Sequence, residues 1–453
     1  MKNRKDEFYS LLFKLAIPVA MQSFISTSLN IIDSIMVGKL REDALAAVGA
    51  ANQYFYVFIL LIFGIASGIS IFTAQYWGQK NISEIKKTMA IGVVSTVIAS
   101  MFFAILAWII PKSIIGVFVK TNGIGNALVL GEKYLKIVAF SYVITSLSLV
   151  YSAASRSIER TKEIMWASSI SLACNTFLNY LLIEGHFGAP ALGVKGAAIA
   201  TVIARCVEFL LIMKYVYGKK LPLALRLNEF LGFTINDIKR IYSKVVFVIL
   251  NESLWALGIS LYAVAYGYIG TSAVAAIQVC NSIQNLFMIV AKSLSTASGT
   301  MIGNKIGEKN GVLAHLYAKR FLKLGIVFGF LSAVLLRLIT PWIASWYEVS
   351  SATRMDIIST LNIIGLFLVF KILNVIMTVG ILRSGGETKF AFAVDVGTVW
   401  FIGVPLAFLG SIYFKLSLHE VVAMLSVEEI LKCIVCWLKI RKNDWNQNLV
   451  DVA

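Results

Sequence analysis

Apolar runs of roughly 20 residues or more, long enough to cross a hydrocarbon layer of about 30 Å, can be marked twelve times along this chain. No water inside such a layer satisfies backbone amides and carbonyls, so runs of this length are expected as helices that bond within themselves. They lie near 11–37, 51–76, 88–110, 133–154, 164–184, 193–215, 243–268, 273–302, 321–345, 357–382, 389–411 and 419–439. The composition agrees: 58% of residues are hydrophobic and 14% charged, where a soluble domain carries about a quarter charged. The expected fold class is an all-α integral membrane protein.

The chain also repeats itself. Asp43-Ala-Leu-Ala-Ala-Val-Gly-Ala-Ala-Asn52 returns as Ser272-Ala-Val-Ala-Ala-Ile-Gln-Val-Cys-Asn281. Gly78-Gln-Lys-Asn81 lands on Gly307-Glu-Lys-Asn310 at the same shift of about 229 residues, and Pro111 and Pro341 follow at about 230. The loops Arg156-Ser-Ile-Glu-Arg-Thr-Lys162 and Arg383-Ser-Gly-Gly-Glu-Thr-Lys389 recur at about 227. Two homologous halves of six spans are therefore expected. The division along the chain is a first lobe over 1–217, a linker over 218–242 and a second lobe over 243–453 with a short basic tail.

The net charge of +17 does not point to nucleic acid, because the Lys and Arg residues alternate in density between the apolar runs. With Lys2, Arg4 and Lys5 on the cytoplasmic side, loops of that side hold roughly 26 basic residues against roughly 9 opposite, the bias expected of a multi-pass protein with both termini inside. The first run carries Asp33 and no small-residue cleavage site, so it reads as a helix rather than a signal peptide. Five cysteines lie within the runs, and an odd number so placed argues against a disulfide framework. Cys433 and Cys436 read as small apolar residues of one helix. His186, His315 and His419 are scattered, and no zinc or histidine-relay motif is visible.

The linker contains Gly218-Lys-Lys220, Pro222, Arg226 and Asn236-Asp-Ile-Lys-Arg240. Its alternation of apolar and basic residues from Leu221 to Ile241 suits either an amphipathic piece on the cytoplasmic face or a plain solvated connection. Pro18 stands inside the first span, where it removes a backbone hydrogen bond. It is either a gating kink or a proline accommodated by its neighbours.

Charges inside spans are costly, about 2.5 to 3.5 kcal/mol at the bilayer centre, so each is a functional candidate. Arg205 with Glu208, and Glu428 and Glu429 with Lys432, have helical-face spacings and read as mainly structural. Asp33 has no base three or four residues away. Asn175 and Asn179 share one face of span five, and Thr201 sits on the small-residue stretch opening span six. Asp33, Asn175, Asn179 and Thr201 either make a hard-oxygen site suited to a proton or a small alkali ion such as sodium, with Asp33 the possible sodium ligand, or Asp33 stands unpaired near the outer interface, stabilised by water. In the second half, Glu252, Lys292 and Asp395 fall at similar depth, and a buried Lys292–Asp395 pair is expected as a switch or a structural tie. Asn374, Gln278, Asn251 and Asn281 add polar lining to the same lobe.

These residues resemble the multidrug and toxic compound extrusion (MATE) family. The resemblance rests on Asn30-Ile-Ile-Asp-Ser-Ile-Met-Val-Gly38, Gln75-Tyr-Trp-Gly-Gln79, Asn175-x-x-x-Asn179, Leu192-Gly-Val-Lys-Gly-Ala-Ala-Ile-Ala-Thr-Val-Ile-Ala204 and Leu382-Arg-Ser-Gly-Gly-Glu-Thr-Lys389. It implies two six-helix lobes forming a V about a central cavity, and export of organic cations or amphipathic compounds driven by inward sodium or proton flow. It also implies a first-lobe cation site at Asp33, Asn175, Asn179 and Thr201, with Asn179 standing where some relatives carry Asp. Other relatives use a span-seven glutamate with a tyrosine and an aspartate of span ten. Glu252 resembles that glutamate, but the span-ten positions read Phe370 and Asn374, and Asp395 is the charge that could replace the missing one.

The implied cycle couples protonation or cation binding at Asp33 to a shift between two lobe conformations. Binding from outside would bend span one near Pro18 and expel the substrate. Phe55, Tyr56, Phe287 and Met288 either line a cavity tolerant of flat cations or simply pack between helices. The alternative is a flippase or exporter of a metabolite or lipid-linked sugar. An enzyme is not expected, since no nucleophile–base or metal pattern is present, and a channel would show an oligomeric pore element rather than two lobes. No cofactor beyond the coupling ion is expected. The partners expected are drug-like substrates and membrane lipids, not nucleic acid, for a monomer in the bacterial cytoplasmic membrane.

Overall fold

The computed structural model describes residues 2–38, 40, 42–118, 125–346 and 349–450. The side chains of residues 2–5, 30, 31, 33–35, 125 and 231 lie outside the described residues. Every regular element described is helical. In chain order these are α1 (Lys2–Gly38), α2 (Glu42–Gln79), α3 (Ile82–Ile109), α4 (Pro111–Phe118), α5 (Gly125–Val138), α6 (Ser141–Ser157), α7 (Lys162–Glu184) and α8 (Val194–Gly218). The second half holds α9 (Ile235–Ile269), α10 (Thr271–Gly307), α11 (Gly311–Ser345), α12 (Ser351–Val375), α13 (Thr388–Thr398), α14 (Val404–Phe408) and α15 (Leu418–Arg441). Wider π-helical turns continue α12 over Ile376–Leu382 and flank α14 over Val399–Gly403 and Leu409–Tyr413.

Nine of the described helices are long and apolar enough to cross a membrane, and the pair α5 and α6, bent by 51°, raises the number to ten. Two further expected spans are present as helices but are more polar. α7 carries Ser168, Ser169, Ser171, Asn175 and Asn179, and α15 carries Glu428, Glu429 and Lys432. With these the helices account for the twelve runs, and the polar pair carry the Asn175–Asn179 and Glu428–Lys432 groups.

The repeat in the sequence is a repeat in the backbone. Lys80 and Lys309, at matching positions, both adopt φ 59° in the turns leaving α2 and α10. Asn81 and Asn310 then cap the next helices alike, Oδ1 accepting from Glu84 N at 3.2 Å and from Leu313 N at 3.1 Å. Glu159 and Gly386, matching positions of the recurring loops, both turn left-handed, φ 64° and 84°. The halves differ at the paired prolines: Pro111 begins α4 after a break, whereas Pro341 lies inside the unbroken α11. α1 likewise runs unbroken through Pro18.

The helices gather into two compact units, one of Met1–Ala20, Ala74–Gln79 and Leu250–Ala453 and one of Met21–Thr73 and Lys80–Ile249. In the first, Phe8, Leu12 and Leu15 of α1 are buried with Tyr317 and Phe321 of α11 and with Met301 of α10. Phe8 meets Tyr317 and Phe321 edge-on, at ring distances of 4.9 and 5.3 Å. Within the same unit the ends of α2 and α10 cross glycine to backbone. A Cβ on Gly78 would stand 2.0 Å from the Asn304 carbonyl oxygen, and one on Gly307 would stand 1.9 Å from that of Gln75. In the other unit Phe58 stacks on Tyr142 at 4.6 Å within a core that includes Ala47, Ile62, Leu135 and Ala198.

The linker is held within that same unit. Lys86 of α3 pairs with Glu229 at 2.6 Å, and Arg240 pairs with Glu84 at 3.1 Å. Leu223 and Leu225 are buried, while Leu227 and Ile235 are 89% and 71% exposed, so the segment presents apolar side chains on its open face.

Candidate functional site

In the first lobe the candidate residues converge on α7 and α8. Gly196 lets these helices touch, since a Cβ there would stand 2.3 Å from the Leu182 carbonyl oxygen. Ser171 Oγ on α7 donates to the Ala204 carbonyl of α8 at 2.6 Å. Asn175 and Asn179 are both buried, and Asn179 Nδ2 donates to Asn175 Oδ1 at 3.4 Å. Thr201, half-buried on α8, turns its hydroxyl to the Ala197 carbonyl at 3.0 Å. Asp33 lies on α1, and its side chain lies outside the described residues. The structure therefore brings the two asparagines together and sets Thr201 on the adjoining helix.

A second polar chain in the same lobe escaped the sequence reading. Gln22 Nε2 donates to Ser168 Oγ at 2.9 Å, Ser168 Oγ donates to Glu208 Oε1 at 2.7 Å, and Arg205 Nη1 donates to Glu208 Oε2 at 3.0 Å. The Arg205–Glu208 pair is thus the structural tie that its spacing predicted, extended through Ser168 to α1. Gln22 inside an apolar run was the available signal.

In the second lobe the charges sort differently from the expectation. Lys292 is exposed on α10, and the expected Lys292–Asp395 pair is not formed. Asp395 Oδ1 instead meets Lys432 Nζ at 2.8 Å, and its Oδ2 accepts from Asn251 Nδ2 at 2.8 Å. Equal depth along two helices does not make neighbours when one side chain is left exposed. Gln278 is exposed as well, and its carbonyl accepts from Ser282. Lys432 also meets Glu428 at 3.0 Å, and Glu428 accepts from Tyr262 Oη at 2.5 Å and Thr398 Oγ1 at 3.3 Å. Gly403 makes room for this contact, since a Cβ there would strike the Tyr262 hydroxyl. It ends a π-helical turn, a local widening often found at functional sites.

Glu252 is bound elsewhere. Arg383 Nη1 donates to Glu252 Oε1 at 2.7 Å, and the arginine is 2% exposed. This arginine opens the Arg383–Lys389 loop motif and was read as a loop residue. The carboxylate beside Asn374 is Glu429, not Asp395: Asn374 Nδ2 donates to Glu429 Oε2 at 2.7 Å and to the Glu429 carbonyl at 2.9 Å. Of the aromatics, Phe55 packs on Phe58 and Tyr142 at 5.6 Å each, Phe287 and Met288 pack against their unit's core, and Tyr56 is exposed. Among the described residues no three His, Cys, Asp or Glu side chains form a metal cluster.

Comparison with known proteins gives this arrangement its family. The MatE family model matches two stretches of equal length, residues 18–181 and 246–409, together more than half the chain and one in each half of the sequence. The uncharacterized transporter YisQ of Bacillus subtilis is similar at 24% identity, over 99% of this chain and 97% of its own. The probable multidrug resistance protein NorM of Thermotoga maritima is similar at 25%, over 92% and 89%. A crystal structure described as MATE in the bent conformation shares the fold with a TM-score of 0.87 at 20% identity, over 96% of this chain and 95% of that one. The chain is a multi-pass membrane transporter that belongs to the MatE family, the multidrug and toxic compound extrusion transporters.

Proposed function

We propose that this chain is a secondary active exporter that moves organic cations or amphipathic compounds out of the cell by alternating access, in exchange for inward protons or sodium ions. The observation that carries the coupling site is the buried Asn175–Asn179 pair on α7, against which Gly196 draws the Thr201 helix. Buried amides and a hydroxyl on adjoining helices supply oxygens for a proton or a small alkali ion. Asp33, on α1, supplies the charge that a bound cation or proton neutralises, and bending of α1 near Pro18 is the proposed gating motion. The names of the bacterial relatives support a drug-like substrate class. The functional lobes are 1–217 and 243–453, joined by 218–242, in a monomer of the bacterial cytoplasmic membrane with both termini inside.

The test is efflux of ethidium from proteoliposomes under a sodium gradient and a proton gradient imposed separately, for the wild type and Asp33→Asn. Gradient-driven efflux lost in Asp33→Asn is expected, and the active gradient identifies the ion. Efflux that survives Asp33→Asn would remove the first-lobe coupling site, and no ethidium movement under either gradient would turn the reading to a metabolite or lipid-linked sugar.

A further inference from the structure

The half-chain repeat does not stop at the last span. At a shift of about 223 residues the turn that leaves α8 returns at the end of α15. Lys219 N and Lys220 N donate to the Tyr215 and Tyr217 carbonyls at 3.0 and 3.1 Å, and Lys442 N and Asn443 N donate to those of Leu438 and Ile440 at 3.2 and 3.3 Å. Lys220 and Asn443 both turn left-handed, φ 49° and 63°. A fully buried side chain follows in each half, Leu223 in the linker and Trp445 after α15. The two segments also seat on matching helices. Glu229 of the linker meets Lys86 of α3, and Trp445 lies 6.3 Å, ring to ring, from His315 of α11, the residue about 229 positions after Lys86. Residues 443–450 are thus the second half's counterpart of the linker, although they form no helix.

This counterpart grips a helix end from far back in the chain. Gln75, buried near the end of α2, donates from Nε2 to the Ser384 carbonyl at 2.9 Å and to the Gln447 carbonyl at 3.2 Å, and its Oε1 accepts from Leu449 N at 2.8 Å. Gln447 N in turn donates to the Gly385 carbonyl at 2.8 Å. Gly385 makes the seat, because a Cβ there would stand 2.5 Å from the Trp445 carbonyl oxygen and 2.6 Å from its ring, whereas the matching position of the first half holds a buried Ile158. Lys439 ties the near end, meeting Asp444 at 3.1 Å and Glu387 at 3.4 Å. Up to Thr73, α2 belongs to the other compact unit, and only Ala74–Gln79 belongs to this one. The Gln75–Gln79 and Arg383–Lys389 motifs are therefore joined through residues 443–450.

We propose that residues 443–450 are a releasable latch that seats the end of α2 on the Arg383–Lys389 loop. Three features set a latch apart from a fixed strut. The segment is irregular, so no helical ladder of its own keeps it in place once its contacts go. It grips α2 through the side chain of Gln75. Trp445 Nε1 is buried with no acceptor among the described residues, a cost that offsets part of the gain from burying the ring. That release of the latch is a step of export rests on the reading above; the coupling between the two segments can be read without transport.

The experiment is hydrogen–deuterium exchange with peptide mass analysis on the purified full-length protein, for the wild type, Trp445→Ala, Gly385→Ala and Gln75→Met. The first two variants strike the latch from opposite sides. Each is expected to speed exchange across 443–450 and also across 74–79 by roughly five- to tenfold, the reach of one or two hydrogen bonds. Gln75→Met keeps the volume and removes the bonds, and it is expected to speed exchange across 443–450, because a coupling reads the same from either end. Peptides of α7 and α8 should keep their wild-type exchange in every variant, which separates release of the latch from general unfolding. Gly385→Ala leaves the Trp445 side chain in place and carries the test if Trp445→Ala does not fold. Faster exchange confined to 443–450, with 74–79 unchanged, or a Gln75→Met protein whose 443–450 stays protected, would each overturn the latch. None of these outcomes depends on whether ethidium moves.

Discussion

The two lobes descend from one repeat, and their turns still match to the residue, yet their buried polar chemistry has parted. In the first lobe α7 and α8 face each other mainly through neutral groups, two asparagines, a threonine and serines, and their one ion pair, Arg205–Glu208, keeps its arginine a third exposed. In the second lobe a web of charge ties α9, α13 and α15 through Asp395, Lys432 and Glu428, with side-chain exposures of 14% or less. Caps and tight crossings depend on backbone geometry that both halves need, so they resist change. Interior polar groups need partners only within their own lobe, so each lobe is free to evolve its own set. An interior of amides and hydroxyls and one that holds charges with their counter-ion answer to different perturbations.

The largest separation between the lobes is expected from removing their lysine and arginine. Lys432→Met leaves Asp395 and Glu428 buried without their ammonium and is expected to cost about 3–5 kcal/mol. Arg205→Met removes a guanidinium that is a third exposed and leaves Glu208 the Ser168 hydroxyl, so a smaller loss of about 1 kcal/mol is expected. Thermal unfolding of both variants in the same detergent checks the order; equal shifts would mean that the Lys432 web is no more than a surface pair.

Next in size is a pair of substitutions that should not differ. Gly78→Ala and Gly307→Ala each drive a Cβ into a backbone carbonyl, at 2.0 and 1.9 Å, and neither clash can be relieved by a side-chain rotation. Each is expected to cost about 1–3 kcal/mol, and the two losses should agree. Measured melting shifts that differ severalfold would show that the repeat is kept in sequence but no longer bears equal load.

Glu252→Gln sharpens the contrast from another side. It removes the charge opposite Arg383, which is 2% exposed, and leaves that cation paired only with a neutral oxygen. A stability loss is expected in the melting temperature, smaller than for Lys432→Met because the glutamine oxygen still accepts.

Much of this was legible in advance, and the misses share one cause. Apolar length marked the spans, and the half-chain shift marked turns that the backbone repeats at Lys80 and Lys309. Spacing along one helix gave the Arg205–Glu208 and Glu428–Lys432 pairs, since residues three and four apart must share a face. Partners on different helices were matched by depth, and depth carries no azimuth. Lys292 therefore looked suited to Asp395 while it stands exposed, and Lys432 looked self-contained while it bridges to α13. Arg383 was hidden differently: it caps the buried π-helical turn over Ile376–Leu382, so a loop arginine by motif is a buried one by geometry.

The smallest effect lies in the linker. Burial alone would push the Glu229 carboxyl up, but the Lys86 ammonium at 2.6 Å and the Arg226 backbone N–H outweigh it and hold it below its usual range. A depressed carboxylate contributes stability above its unfolded value, about 4.3, and loses it only as pH falls through the lower folded one. The Lys86–Glu229 tie is therefore intact at neutral and mildly acidic pH, and a pH change around 7 should leave the linker unmoved. Glu229→Gln removes the charge at any pH. Since both side chains are about a quarter exposed, the gain in trypsin cleavage after Arg226 is expected to stay within roughly fivefold at neutral pH, the reach of a surface ion pair. A larger increase would mean that Glu229 holds the whole segment from Leu221 to Leu231 in place, and that the linker, like the second lobe, depends on a single charge.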